Sequence, residues 1–529
     1  MLSQRILLAG LWLLFCVNST SWAEVTYTTV AYEGLSAPGV PNGVFTFLRT
    51  SPAINDAGAV LFGGLVADGV TGTSALWSGP ASAPQLVIRG NEPVPGLPDF
   101  KFSEVSAGNA VIDQNGHIAF FSSLKGKDDP GPYPNSYAVF GGPANSIDLI
   151  GVGHGLEAAN ADQYVILDSH DSALYSGPAG ALQPLAMDGQ QAPGFPAGTV
   201  HKYTSLAAER TINSSGQISF DTRVATGTSI GYAIWTGRAG NLHLVAATDQ
   251  IAPGTGGRIF DSVGFSRINS VGSIIFLGSL KRAFSSDPLD LGIWYGDPAS
   301  PQLLVRTNDP APGTNARLAG PYFHPYYSGS GHVAYTSALV GDDVVPGFND
   351  HGLWAGTVDA QKLVVRMGDP APGTMEGVVF KSLLSYVQNS TGQIAFTATL
   401  AGPGITPSMN DSGMWMTGLD GALEMVLRAG DPFPIGDGTF KTIDPIYKYL
   451  NSGGGEDGLS CPFNASGQLA FSAVFGDSTS GIFIAQVPEP MVPAIVLGIL
   501  ALRRTARFGS LRSRRDESRE RTAAESDKS

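Results

Sequence analysis

Short apolar runs alternate with turn residues along most of the chain, and no stretch between its two ends keeps the 3.6-residue spacing of an amphipathic helix. Many of these runs follow a turn of the form Asn-x-x-Gly. The turn residues are Asn55 and Gly58, Asn213 and Gly216, Asn269 and Gly272, Asn389 and Gly392, and Asn464 and Gly467. Variants begin at Asp113 and Ser328, and a degenerate copy begins at Asn160.

The spacing within this turn has a physical reason. An Asn or Asp side chain at the first position can accept a hydrogen bond from the backbone two residues later, and Gly at the fourth position closes a type I turn without steric cost. Apolar residues before and after the turn, such as Ile54 and Val60-Leu61-Phe62, make it the tip of a hairpin. Its repetition about every 60 residues predicts a tandem-repeat protein.

Two further elements recur in the same order. The first is an apolar-aromatic pair, at Leu76-Trp77, Val139-Phe140, Leu174-Tyr175, Ile234-Trp235, Ile293-Trp294, Leu353-Trp354, Met414-Trp415 and Ile482-Phe483. The second is a Leu/Val-rich strand that leads into a Pro-Gly turn, as at 303–313 and 363–373. Each unit therefore contains about four short strands and no helix.

Four-stranded units of this length stack as a solenoid or close as a β-propeller. The repeat region begins with the strand and Pro-Gly turn, at 28–39, and the last unit stops after its apolar-aromatic pair. The N-terminal strand can therefore complete the final unit. Such an exchange hides the sheet edges that an open array exposes. We predict an all-β propeller of eight blades, with the unit around 160–175 shortened. Seven blades with an insertion is the alternative.

Composition agrees with this fold class. The 529 residues include 68 Gly and 36 Pro, only 14% are charged, and 43% are apolar. The apolar content is sufficient for a large core, and the Gly and Pro content is typical of many tight turns.

Residues 1–23 have the pattern of a secretory signal peptide. Arg5 precedes an apolar core at 6–17, and Ser21-Trp22-Ala23 is a small-x-small cleavage site, which places the cut between Ala23 and Glu24. An uncleaved membrane anchor is the alternative, but the apolar run is short for a span. Cleavage would leave one cysteine, Cys461, which we expect to be a buried structural thiol.

The other end changes character at residue 488. Pro488-Glu489-Pro490 is followed by an apolar run at 491–502 and by Arg503-Arg504. This order resembles the PEP-CTERM sorting signal, which implies recognition and cleavage by an exosortase after transient insertion in the inner membrane. The apolar run is shorter than a full span, and a charged tail at 505–529, predicted to be disordered, follows where members of that family stop. A plain C-terminal anchor is the alternative.

The repeat region at 24–487 also resembles the tandem-repeat proteins with an Asn-x-x-Gly-x-x-Ala-Phe signature. Residues 389–396 and 464–471 match that signature as written, and the other copies match with substitutions. The resemblance implies placement at the cell surface or in the extracellular matrix, and the PEP-CTERM resemblance implies a bacterium that makes exopolysaccharide. It brings no catalytic residues with it.

Charge narrows the range of partners. Of the 31 Lys and Arg, ten lie in the signal or after residue 502, and five of the 45 Asp and Glu lie after residue 502, so the exported part has a net charge near −19. This charge argues against nucleic acid and anionic membrane surfaces as partners.

Each candidate for chemistry has a structural alternative. The repeated tryptophans could stack on sugars, but their single blade position favours packing in the core. Asp309 and Asp369, in Asp-Pro-Ala-Pro-Gly loops, could bind calcium, but one aspartate per blade favours turn capping.

The longer loops at 124–135 and 340–350 are expected to share one face. They carry Asp128, Asp129, Asp342 and Asp343, our candidates for a ligand surface, because binding residues concentrate on such loops.

The sequence contains no Gly-x-Ser-x-Gly, His-x-x-x-His or Cys-x-x-Cys motif, and it predicts no cofactor and no metal. The resulting hypothesis is an exported, non-enzymatic binding or structural propeller, with exopolysaccharide or envelope proteins as partners. The alternative is a secreted carbohydrate-active hydrolase or lyase that uses two carboxylates about 5–10 Å apart.

Overall fold

The structure is a computed structural model. It describes residues 25–487 except 70–71, 106–107, 109, 127–135, 153, 161, 169–171, 203–209, 285–287, 437, 446–449 and 451–452. These residues form strands, turns and loops, and the part of the chain that is described contains no helix long and apolar enough to cross a membrane. The predicted signal peptide, sorting segment and charged tail lie outside the described residues.

The strands form eight antiparallel blades around a central channel, which confirms the predicted fold class and its preferred blade count. The first strand is β1 (Thr26–Tyr32), which belongs to the last blade. Blade 1 contains β2 (Val44–Phe47), β3 (Ala53–Ile54), β4 (Ala59–Ala67), β5 (Gly72–Pro80) and β6 (Gln85–Arg89). Blade 2 contains β7 (Pro93–Val94), β8 (Leu97–Val105), β9 (Val111–Ile112), β10 (His117–Gly126), β11 (Ser136–Pro143) and β12 (Asp148–Val152).

Blade 3 is the predicted short unit, with β13 (His154–Asn160), β14 (Gln163–Asp168), β15 (Ala173–Gly177) and β16 (Gln183–Met187). Blade 4 contains β17 (Thr199–Lys202), β18 (Arg210–Ile212), β19 (Ile218–Thr226), β20 (Ser229–Arg238) and β21 (Asn241–Ala247). Blade 5 contains β22 (Phe260–Ile268), β23 (Ile274–Leu280), β24 (Leu291–Gly296) and β25 (Gln302–Arg306).

Blade 6 contains β26 (Arg317–Tyr327), β27 (His332–Val340), β28 (His351–Thr357) and β29 (Ala360–Arg366). Blade 7 contains β30 (Val379–Gln388), β31 (Ile394–Ala401), β32 (Ser412–Thr417) and β33 (Leu423–Arg428). Blade 8 contains the hairpin β34 (Pro432–Gly436) and β35 (Thr439–Thr442), and then β36 (Gln468–Val474) and β37 (Ser480–Gln486).

Strand exchange closes the ring. The N-terminal strand β1 pairs antiparallel with the C-terminal strand β37, from Thr26 opposite Gln486 to Tyr32 opposite Gly481. β1 is therefore the outer strand of blade 8, as the order of the repeat elements predicts. The closure joins the two ends of the described chain in one sheet and leaves no open edge between the first and last blades.

An aromatic pair fills the centre of five blades. In each, the Phe or Tyr of the strand after the Asn-x-x-Gly turn lies opposite the Trp of the next strand, and the two rings stack at centroid distances of 5.7 to 5.9 Å. The five tryptophans are fully buried: Trp77, Trp235, Trp294, Trp354 and Trp415. Their role is packing in the core, and they do not form a surface row for sugars.

The same tryptophans fix the connections between blades. Each indole N–H donates to the carbonyl of a proline in the Pro-Gly turn that leads into its blade, as Trp294 does to Pro253 at 2.9 Å and Trp354 to Pro312 at 2.9 Å. A buried indole N–H needs such a partner. The Pro-Gly turn and the Trp, which the sequence presents as separate repeat elements, are therefore one structural unit.

The Asn-x-x-Gly turns are joined from blade to blade. Each Asn side-chain oxygen accepts backbone N–H groups of its own turn, and several of the amide groups donate to the backbone carbonyl of the next turn in the ring. These amide bonds are Asn55 to Asp113 at 3.0 Å, Asn213 to Asn269 at 3.0 Å, Asn389 to Asn464 at 2.8 Å and Asn464 to Asn55 at 2.9 Å. The last of them spans the closure between blades 8 and 1.

Candidate functional site

The propeller has two different faces. Because neighbouring strands run antiparallel, the Asn-x-x-Gly turns and the turns between the two outer strands lie on one face, which we call the Asn-turn face. The loops between the two middle strands and the Pro-Gly connections between blades lie on the other, which we call the long-loop face. The predicted loop at 340–350 is on the long-loop face, whereas most of the predicted loop at 124–135 lies outside the described residues.

Both ends of the described chain lie on the Asn-turn face. Thr26 pairs with Gln486, whose side-chain amide donates to the carbonyl of Ser466 in the last Asn-x-x-Gly turn. Any segment attached to either end therefore starts from the face opposite the long loops.

A plug closes the channel at the Asn-turn face. The inner strand of blade 8 leaves the sheet after Asp444 and returns at Pro462, and residues 453–461 of this excursion, the plug, cross the channel. Backbone carbonyls of the plug accept N–H groups from the inner strands of three blades. These bonds are Ile54 to Cys461 at 2.8 Å, Ala159 to Gly458 at 2.9 Å and Ile212 to Asp457 at 2.9 Å.

Side chains complete the plug. Glu456 accepts the backbone N–H of Gly329 at 2.7 Å in blade 6. Asp457 and Arg267 of blade 5 form a buried ion pair at 3.4 Å, and the Arg267 guanidinium lies 4.6 Å from the centre of the Tyr326 ring. The plug thus contacts inner strands around most of the ring. Because it lies at the Asn-turn face, a ligand would reach the channel wall from the long-loop face.

A pocket of about 670 Å³ lies between blades 6 and 7 and is formed by their inner strands and by the 341–350 loop. This volume is in the range of small-ligand sites. Its apolar floor and walls include Leu353, Phe396, Leu383, Leu384 and Met367. Leu450, which precedes the plug in the same excursion of the chain, also lines the pocket.

The polar part of the pocket is centred on Asp350 and His351. One Asp350 carboxylate oxygen lies 2.9 Å from His351 Nδ1, and the other accepts the Gly347 N–H at 2.7 Å. Burial alone would raise the pKa of Asp350, but these hydrogen bonds and the His351 charge bring it below its usual value. Asp350 is therefore held as a carboxylate and is poorly suited to be a general acid.

The opposite wall joins the two inner strands. Tyr386 O–H of blade 7 donates to the His324 carbonyl of blade 6 at 2.8 Å, and Tyr326 O–H donates to the Tyr386 carbonyl at 3.3 Å. His324 has a positive φ of 54° at an irregularity in β26, a conformation that is uncommon outside glycine. His324 lines the pocket, where its carbonyl accepts the Tyr386 hydroxyl, and its imidazole ring lies 6.0 Å from the Phe265 ring of blade 5.

The long-loop face carries most of the exposed apolar residues. Twelve large apolar side chains among the described residues are more than half exposed, and ten of them lie in or beside the connections on this face. The ten are Leu35, Ile230, Ile251, Phe284, Leu289, Val345, Phe348, Met375, Met409 and Phe440. The other two, Val271 and Leu419, lie on the Asn-turn face. Three of the ten, Phe348, Met375 and Met409, lie on adjoining loops, and contiguous apolar surface of this kind marks an interaction surface.

The predicted ligand-face aspartates have different positions. Asp343 lies 3.7 Å from Arg366, and its carbonyl accepts a hydrogen bond from the Asn349 side chain, so it helps to order the 341–350 loop. Asp342 is exposed in the same loop, beside the pocket. Asp128 and Asp129 lie outside the described residues, as do Ala23, Glu24, Pro488, Glu489, Pro490, Arg503 and Arg504.

The remaining sequence candidates have structural roles. Asp309 and Asp369 each accept the backbone N–H of the residue three positions earlier, at 2.7 Å, which is the predicted turn capping. Among the described residues no group of three His, Cys, Asp or Glu side chains is arranged to hold a metal ion. Cys461 is buried in the plug, and burial raises the pKa of its thiol to about 12.

Sequence reasoning missed the pocket residues and the plug. His324, Asp350, His351 and Tyr386 come from two repeats and carry no motif. The plug does leave a signal, because Asn389 and Asn464 are 75 residues apart while the neighbouring turns Asn213 and Asn269 are 56 apart. The extra length contains the run Gly453-Gly454-Gly455, which could have indicated an insertion.

Comparison with known proteins identifies a family. The family described as "Family of unknown function (DUF7453)" matches residues 17–168 and 158–494 of the chain. No curated protein matches the sequence.

Solved structures that match this chain include an oligogalacturonate lyase in complex with manganese, with 11% identity and a TM-score of 0.38 over 88% of this chain and 99% of that one. Polysaccharide lyase Uly1 has 12% identity and a TM-score of 0.34 over 88% of this chain and 99% of that one. The Pyrococcus horikoshii acylaminoacyl peptidase has 8% identity and a TM-score of 0.35 over 83% of this chain and 51% of that one. At these identities and TM-scores the matches support no inference about this chain.

Proposed function

The chain belongs to the Family of unknown function (DUF7453), and we propose that it is an exported binding propeller of the cell envelope that presents its long-loop face to the extracellular matrix without converting its ligand. One observation carries the proposal. Among the described residues, the pocket and ten of the twelve most exposed apolar side chains are on the long-loop face, whereas Thr26, Gln486 and the plug are on the Asn-turn face.

Export is the first part of the proposal. Cleavage of the signal peptide between Ala23 and Glu24 would release the N-terminus of the propeller. The sorting segment at Pro488-Glu489-Pro490 would attach the propeller through Gln486, which is on the Asn-turn face. A tail held in the envelope would then direct the long-loop face outward. Peptide mapping of protein isolated from the producing cells should find an N-terminus at Glu24 and no peptide beyond residue 490. A mature protein that retains residues 505–529 would contradict sorting-type processing.

Binding without conversion is the second part. Purified protein is incubated with the extracellular matrix of the producing organism, and co-sedimentation and the release of sugar ends are measured together. We expect the protein to sediment with the matrix and no increase in sugar ends. A failure to sediment would contradict the binding role, and a steady release of sugar ends would show an enzyme.

The rival function is a secreted carbohydrate-active hydrolase or lyase. Among the described residues of the pocket lining, Asp350 is the only acid, so the pair of carboxylates expected for glycoside hydrolysis is not assembled by these residues. A specific observation does favour proton-transfer chemistry, because His351 is oriented by Asp350 at the pocket wall. If sugar ends are released, a His351→Ala variant should abolish the release, which would identify His351 as the base.

A further inference from the structure

The polar groups of the pocket are largely bonded to one another. The Ser385 hydroxyl lies 2.8 Å from the Thr397 hydroxyl and accepts the Leu450 N–H at 3.1 Å. The Tyr386 hydroxyl donates to the His324 carbonyl. A polysaccharide needs hydrogen-bond partners for its hydroxyls. Because the polar groups of the lining already bond to one another and the rest of the lining is apolar, the pocket favours an apolar group over a sugar.

Charge selects further among ligands. No Lys or Arg is among the described residues that line the pocket, whereas Asp350 lies in the lining and Asp342 is exposed on the same loop. The exported part as a whole is acidic, with a net charge near −19. The pocket therefore repels an anionic ligand and attracts a neutral or cationic one.

The apolar surface continues outside the pocket. Phe348 is 51% exposed on the 341–350 loop, Met375 is 59% exposed on the connection between blades 6 and 7, and Met409 is 64% exposed on the next long loop. These loops adjoin, because a β-carbon added at Gly368 would lie 3.2 Å from Phe348, and one added at Gly404 would lie 3.1 Å from Met375. We call Phe348, Met375 and Met409 the rim.

We propose that the pocket between blades 6 and 7 takes one large apolar side chain of a basic segment in a protein partner, while the rim covers the residues that flank it. A small molecule that fills the pocket would leave the rim in water, and a polysaccharide would leave its hydroxyls unpaired against the rim. A protein segment with an apolar anchor and nearby Lys or Arg satisfies the pocket, the rim and the charge together. This inference rests on the proposed binding function and names the class of partner.

Three labelled peptides test it. The probe is a fluorescein-labelled nine-residue peptide with a central Phe flanked by four Lys. One control peptide has Ala in place of Phe, and the other has Glu in place of the Lys residues. Fluorescence anisotropy with the purified protein should show binding of the probe, with each control peptide at least about tenfold weaker, since each lacks one of the two required features.

Matched variants locate the binding. Leu384→Arg, which puts a charge into the pocket, and Phe348→Ser, which alters only the exposed rim, should each weaken the probe at least about fivefold. Leu419→Ser, with a side chain 60% exposed on the Asn-turn face, should leave the affinity unchanged. Asp350→Asn should reduce the preference for the Lys peptide over the Glu peptide and leave the preference for Phe over Ala. Unfolding midpoints measured for each variant separate a local effect from a loss of folding.

Two results would overturn the inference. One is binding of the Phe and Ala peptides with equal affinity, or binding that Leu384→Arg and Phe348→Ser do not change. The other is tight binding of a neutral glucose hexasaccharide that Leu384→Arg abolishes, which would make the pocket a sugar site. Neither result affects the mapping of the chain ends or sedimentation with the matrix, so a failure here is distinguishable from a failure of the proposed function.

Discussion

Replacement of Asn389 by Asp should separate the two contributions of the repeat turn to stability. The Asn389 Oδ1 accepts the backbone N–H groups of Thr391 at 3.2 Å and Gln393 at 2.9 Å, within its own turn. The Nδ2 donates to the Asn464 carbonyl in blade 8 at 2.8 Å and to Gln393 Oε1 at 3.0 Å. An Asp side chain keeps the first set of bonds and loses the second. Blade 2 shows that the substitution is compatible with the turn, because Asp113 accepts the N–H groups of its own turn in the same way.

The magnitude follows from burial of these groups. Asn389 is almost fully buried, so Asn389→Asp removes one hydrogen bond between blades and places a carboxylate against the Asn464 carbonyl. A buried acceptor that loses its donor costs about 1–3 kcal/mol, and we expect a loss of about 2–3 kcal/mol in the free energy of unfolding. Asn389→Ala also leaves two backbone N–H groups of the turn without partners, and it should cost about 4 kcal/mol.

Equilibrium denaturation followed by tryptophan fluorescence provides the assay, because five tryptophans are fully buried. Val271→Ala is the control, since that side chain is 68% exposed in the equivalent turn of blade 5, and it should change stability by less than about 0.5 kcal/mol. An Asn389→Asp variant as stable as the wild type would show that the bond between blades contributes nothing. Equal losses for Asp and Ala would show that the contribution is not from capping of the turn.

Other substitutions test the plug, the core and the pH response. Gly458→Ala should lower the unfolding temperature, since Gly458 has φ +73° and an added β-carbon would lie 2.7 Å from the Ile212 carbonyl oxygen; an unchanged midpoint would contradict a tightly packed plug. Trp294→Phe should lower the free energy of unfolding by about 2 kcal/mol, because the Pro253 carbonyl loses its donor in the core. A loss no larger than that of a substitution at an exposed site would show that this hydrogen bond does not stabilise the fold. Burial lowers the pKa of His201 to about 4, so the native state disfavours protonation of this imidazole. The free energy of unfolding should therefore be at its full value above pH 6.5 and fall by up to about 3 kcal/mol as the pH is lowered toward 4. His201→Gln should reduce that dependence, and an equal fall in the variant would assign it to other groups.

The blade architecture was predictable because local chemistry determines it. Asn and Gly at fixed offsets specify the turn, and the Phe and Trp that stack across neighbouring strands recur at fixed distances from it. Ring closure was predictable for the same reason, since the order of repeat elements assigned the first strand to the last blade. These features depend on residues within one repeat or on the order of repeats.

The pocket was not predictable in this way, because it is formed between two repeats by residues that the repeat pattern does not determine. His324 lines it at an irregular positive-φ position in β26, and His351 lines it at the end of a loop whose length varies among blades. The plug depends on a single insertion that reaches several blades at once. In the sequence it is marked by the unusual 75-residue spacing between Asn389 and Asn464 and by the glycine run within it.

Cysteine labelling on intact producing cells tests the outward display of the long-loop face most directly. Ile230→Cys and Leu419→Cys place thiols on opposite faces at positions of similar exposure, 64% and 60%, and both lie outside the rim. The natural Cys461 is buried and gives little background. Both variants should react with a membrane-impermeant maleimide when purified. On cells, we predict that Ile230→Cys is labelled readily and Leu419→Cys more slowly. Labelling of Leu419→Cys alone would reverse the orientation, and labelling of neither on intact cells would contradict display at the cell surface.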